Sequence, residues 1–149
     1  MYTTVLIIHS WLRWVALVAG VGATLSALAD RGDGRRADRW GLALVTSLDL
    51  QMLIGLLLYF ALSPFTKVAM QDFGAAMKDP GLRFFAVEHV TMMLAAVILV
   101  HVGRVLARKA ASPGARRTRM FVCFGLATIL MVIAIPWPGM AHGRPLFRV

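Results

Sequence analysis

The sequence predicts an all-α integral membrane protein, a four-helix up-down bundle with both termini on the outer, non-cytoplasmic face. Three observations predict it. The 149 residues are 59% hydrophobic and only 15% charged, with a mean hydropathy of +0.73. The charges gather in short blocks between long apolar runs, whereas a soluble domain interleaves them along every element. The blocks are also unequally basic, and that asymmetry orients the chain.

A helix needs about 20 apolar residues to cross roughly 30 Å of hydrocarbon at 1.5 Å per residue. Runs of that kind lie at residues 4–28, 41–62, 84–106 and 120–135. They leave no room for a second domain, so residues 1–149 form one transmembrane unit. The first run lacks a basic leader, carries His9 and Arg13, and is too long for a signal peptide's apolar region, although Ala27-Leu28-Ala29 mimics a cleavage site. It is expected to stay as a helix.

Between the first two runs lie Arg31, Arg35, Arg36 and Arg39; between the last two lie Arg104, Arg108, Lys109, Arg116, Arg117 and Arg119. The other side holds Lys67, Lys78, Arg83, Arg144 and Arg148. Ten basic residues against five put the two Arg-rich loops in the cytoplasm. The net charge of +9 therefore reflects topology and anionic headgroups, and no nucleic-acid partner is expected. The chain reads as a multi-pass protein of a bacterial inner membrane.

The outer loop carries Phe65, Ala69, Phe73, Ala76 and Met77 at helical spacing, which predicts an interfacial helix over about 65–78. Asp79-Pro80 is an N-cap followed by proline at the first helical position, and starts the third helix. Pro136 and Pro138 stop the fourth, with Trp137 where interfacial aromatics belong.

Ionisable groups within spans are costly, so they face the bundle interior and pair. Counting residues puts His9 roughly 7 Å and Arg13 about 13 Å below the outer surface, with Glu88 and His89 about 6–8 Å deep. His9 and Arg13 are four apart and share a helix face. These four residues form an expected outer cluster, with Asp49 beneath it within reach of Arg13. His101, nearer the cytoplasmic surface, stands apart as a snorkelling residue.

Two histidines on different helices at one depth suit the axial ligation of a haem b, which makes His9 and His89 the candidate metal ligands. Arg13 would hold a propionate or a quinone oxygen. Gly20 and Gly22 would let a flat ring approach, and Met92 or Met93 is a substitute ligand. The plainer alternative is a buried salt bridge from Arg13 to Asp49 or Glu88, with both histidines merely hydrogen-bonded. Gln51, Gly55 and Tyr59 fall on one face of the second helix, away from Asp49, where they suit helix packing better than a quinone site. Cys123, the single cysteine, is a small apolar residue inside a span, so no disulfide or Cys-based metal motif exists. His142 in the tail is a lone exposed imidazole. No nucleophile–base set or phosphate loop is present, which argues against hydrolase or ATP-driven roles.

Several stretches resemble a family of small four-helix bacterial membrane proteins often labelled cytochrome b-like and found widely in Bacteroidota. They are His9-Ser10-Trp11-Leu12-Arg13-Trp14, residues 51–60, Pro80-Gly81-Leu82-Arg83-Phe84-Phe85-Ala86-Val87-Glu88-His89, Gly103-Arg104, Ile135-Pro136-Trp137-Pro138 and Gly143-Arg144-Pro145. The resemblance implies that His9 and His89 hold the pattern's positions. The chain departs from it at Asp49, near which the family is expected to carry a histidine. The expected function is membrane electron transfer through a b-type haem or a quinone, with His9, His89, Arg13 and Glu88 as the site and Glu88 relaying protons. The alternative is a non-catalytic accessory subunit docked on a larger respiratory or photosynthetic membrane complex. The expected partner is the bilayer, with such a complex or a homo-oligomer beyond it.

Overall fold

A computed structural model describes residues 1–29 and 34–147. Asp30, Arg31, Gly32 and Asp33 of the first basic loop, and Arg148 and Val149, lie outside the described residues. Among those described there is no strand. The elements are α1 (Tyr2–Ala29), α2 (Arg35–Leu57), α3 (Pro64–Gln71), α4 (Phe73–Ala76), α5 (Pro80–Arg83), α6 (His89–Arg108) and α7 (Pro113–Ile133). α2 runs on through a π-wound turn at Leu58–Leu62. A second π-wound turn, Phe84–Glu88, joins α5 to α6. The third long helix thus begins at Asp79, whose carboxylate accepts from Leu82 N–H at 2.8 Å with Pro80 behind it.

Three continuous helices, Tyr2–Ala29, Arg35–Leu62 and Pro80–Arg108, are long and apolar enough to cross a membrane, which makes this a membrane protein. The fourth expected span lies on α7, which does not reach that standard. Every 18-residue stretch of α7 includes Arg116, Arg117 and Arg119, because Ser112 and Pro113 start the helix well before the apolar residues begin. The expected interfacial helix is two short ones. Asp72 interrupts it and caps α4 by accepting from Ala75 N–H at 2.9 Å.

Small residues set how the long helices approach. α1 buries Ala16, Ala19, Gly20, Ala23 and Ala27 along one stripe, which lets neighbouring backbones come close. A Cβ on Gly20 would meet Thr128 Oγ1 at 2.7 Å, and one on Gly22 would meet the Trp40 ring at 2.4 Å. These two glycines therefore seat α7 and α2, and admit no planar ligand. α1 packs on α2 and α7, and α6 packs on α7 and α2, so α1 and α6 stand across the ring from one another. Large apolar side chains such as Val18, Leu53, Ile98 and Ile129 point outward.

At one end the basic segments are tied together. Arg116 donates to Asp38, joining α7 to α2, and Arg119 donates to Leu106 O at 2.8 Å. At the other end the chain after α7 turns back over the helices. Gly139 takes a positive φ of 90° there. Arg144 N–H then donates to Pro136 O at 3.0 Å. The segment is held by aromatic contacts: His142 stacks on Phe84 at 3.7 Å, and Phe147 stacks on Trp14 at 5.4 Å.

Candidate functional site

A cavity of about 150 Å³ lies among the long helices at the end covered by this returning segment. α1 supplies His9 and Arg13 to it, α2 supplies Gln51 and Gly55, and α6 supplies His89. The π-wound turn after α2 adds Tyr59, and the returning segment adds Arg144 and Pro145. The rest of the lining is largely apolar, including Leu48, Met93 and Phe85.

Gln51, Gly55 and Tyr59 are spaced by four, so one stripe of α2 faces His9. Gln51 is 6% exposed, and its amide nitrogen lies 3.0 Å from His9 O and 3.2 Å from His9 Nε2. A backbone carbonyl only accepts, so the group facing it must be the NH₂. The same NH₂ then donates to His9 Nε2, and the ring proton of His9 resides on Nδ1. Each member of this pair keeps one buried atom without a hydrogen-bond partner among the described residues: His9 Nδ1, a donor, and Gln51 Oε1, an acceptor. Unsatisfied polar atoms at such depth are rare and costly. Gly55 leaves the space beside the imidazole, where a Cβ would come within 3.3 Å of His9 Cε1.

His89 meets His9 across the ring of helices, with ring centroids 6.3 Å apart and planes at 65°. Its Nδ1–H donates to Ala134 O at 2.8 Å, which fixes the ring and leaves Nε2 as its lone-pair nitrogen. Arg13 donates to Leu146 O and lies over the Trp14 ring at 5.0 Å, so the returning segment holds it at the cavity wall. Arg144 lies over Phe65 at 4.5 Å and over Phe85 at 5.1 Å. Tyr59 O–H donates to Ala86 O at 2.7 Å, linking the two π-wound turns.

His9, Arg13 and His89 are therefore brought together as expected, and Glu88 is not. Its carboxylate pairs with Arg83 at 2.6 Å on the exposed outside of the helix. The π winding between them explains this, because it brings residues five apart onto one side. Asp49 does not lie beneath the cluster either, and His101 does not stand apart: the two form a pair at 2.9 Å. Gln51 and Gly55, first read as packing residues, prove to be the partners of His9. Their four-residue spacing was the available signal, whereas Leu146 had none and Arg144 had only its place in Gly143-Arg144-Pro145. Among the described residues no three or more His, Cys, Asp or Glu side chains form a metal-holding group. No family model, curated protein or solved structure matches the chain.

Proposed function

We propose that the protein is a four-helix up-down membrane bundle, with both ends outside, that binds a quinone-type ring between His9, Gln51 and His89. The observation that carries this reading is the unmatched pair in a ring-sized cavity. A volume near 150 Å³ takes about one benzene-sized ring. A quinol hydroxyl can accept from His9 Nδ1–H and donate to Gln51 Oε1, satisfying both groups at once. A quinone carbonyl satisfies His9 alone. The site therefore favours the reduced ring, with the apolar lining taking its faces and Arg13 and Arg144 at the wall. This keeps the electron-transfer role expected from the sequence in its quinone form.

The residues do not fit a haem. Gln51 occupies His9 Nε2, the nitrogen that would face an iron. The cavity takes about one ring, whereas a porphyrin carries four pyrroles. The 6.3 Å between the imidazoles is what speaks for haem, and an absorption spectrum tests it. The purified protein is expected to lack a Soret band. A Soret band lost on both His9→Ala and His89→Ala would reinstate haem as the ligand.

The quinone reading is tested by titrating short-chain quinol and quinone analogues into purified protein in detergent. Quinol should bind more tightly than quinone. Gln51→Leu and His9→Leu should each weaken quinol roughly ten-fold or more, the cost of leaving one buried partner unmatched. Glu88→Gln should change nothing. A wild-type protein that takes neither ring form sinks the proposal and leaves the accessory-subunit reading in the lead.

A further inference from the structure

We infer that the outward face of α2 and α6 around Asp49 and His101 is the interface of a two-fold homodimer. The inference rests on the membrane reading and is independent of the ligand in the cavity.

Asp49 and His101 lie within two of the helices apolar enough to cross a membrane, yet their side chains are 44% and 51% exposed. They hydrogen-bond to each other through Asp49 Oδ1 and His101 Nε2, and among the described residues neither has another hydrogen-bond partner. Polar groups at that depth face protein or water and not lipid. The surrounding surface is mostly apolar, with Arg104 one turn from His101 toward the basic end. Leu42, Leu53, Leu94, Ile98 and Val105 stand exposed along the same two helices. Something must cover the pair.

The chemistry of the pair identifies what covers it. A low-dielectric setting favours a net-neutral pair, which holds one shared proton. If the carboxylate is ionised and the imidazolium charged, Nε2–H donates to Oδ1 and Nδ1 also carries a proton. If the proton sits on Oδ1, it donates to Nε2, and the imidazole proton is again on Nδ1. In both forms the pair presents one outward donor, His101 Nδ1–H, and one outward acceptor, Asp49 Oδ2. A pair with one donor and one acceptor is self-complementary. A second copy turned by a two-fold axis sets His101 Nδ1–H of each protomer against Asp49 Oδ2 of the other, as an isologous interface requires. Thr46, exposed one turn before Asp49, is small enough to let the second α2 approach closely.

The test counts subunits by single-molecule photobleaching of labelled protein in liposomes at rising protein density. Wild type should pass from one to two subunits. Asp49→Leu and His101→Leu each remove both symmetric bonds, so dimerisation should then need roughly ten-fold higher density. Exchanging the two residues, Asp49→His with His101→Asp, keeps a donor and an acceptor on the patch and should restore the wild-type midpoint. A wild-type protein that stays single across the range overturns the inference, whether or not it binds some other membrane protein. So do single variants that dimerise like wild type. Should either single variant fail to fold, the exchanged variant decides: folded but monomeric where wild type is dimeric, it overturns the inference as well.

Discussion

Gln51 governs the state of His9, because its amide can donate to His9 O and to Nε2 only while the imidazole stays neutral with its proton on Nδ1. Replacing that NH₂ by an oxygen should therefore do more damage than removing the group. Gln51→Glu should destabilise the protein by about 1–3 kcal/mol in detergent unfolding, through a buried acceptor set against a carbonyl. Gly55→Ala acts by space alone. Its new Cβ would press on His9 Cε1 at 3.3 Å, so quinol affinity should fall several-fold while thermal stability holds. The sequence showed His9, Arg13 and His89 as companions because depth follows from counting. It misassigned Asp49 and Gln51 for a linked reason. Two residues apart on a helix, they cannot share a face. The rule that ionisable groups turn inward was given to Asp49, which sent Gln51 away from the site. The structure reverses them, and Asp49 meets His101 on the outward side of α2 and α6.

At the level of elements, local chemistry was legible at Asp79-Pro80 and missed at Ser112-Pro113, since the fourth helix was expected only from residue 120. Asp79-Pro80 starts the third long helix as expected. Ser112-Pro113 starts α7 by the same device, with Ser112 Oγ accepting from Ala115 N–H at 3.1 Å. The π-wound turns were not legible, and a contact between distant segments links them. Tyr59 of the first donates to Ala86 O of the second. Tyr59→Phe should cost about 1 kcal/mol of stability, and it should loosen the cavity end first, read as faster amide exchange at residues 84–88. Close helix approach gives another test. A Cβ at Gly103 would lie 2.5 Å from Cys123 Cβ, so Gly103→Ala should destabilise by about 1–3 kcal/mol through overpacking of α6 on α7. Cys123→Gly should relieve most of that cost, a coupling that a double-mutant cycle measures.

Across the whole molecule, the basic segments and the cavity occupy opposite ends. Arg116 and Asp38 gather the arginine-rich segments at one end, and His9 and His89 lie toward the other. Under the proposed orientation, the cavity lies in the outer half of the bilayer. A reporter active only in the cytoplasm should work when fused after Asp33 or Ser112 and fail after Val149. Activity at the last position would invert the site's side of the membrane. Apolar runs made the three long apolar helices readable, because hydropathy is a property of composition along the chain. The cover over the cavity was unreadable, because Arg144 and Leu146 act through tertiary contacts that no local pattern announces. That cover also bears on how the protein is made. The helices that carry His9, Gln51 and His89 leave the ribosome and can enter the bilayer before the segment that carries Arg144, Pro145 and Leu146 is synthesised. During biosynthesis the lining of the cavity is therefore completed last, when the segment that supplies Arg144 and Pro145 is made.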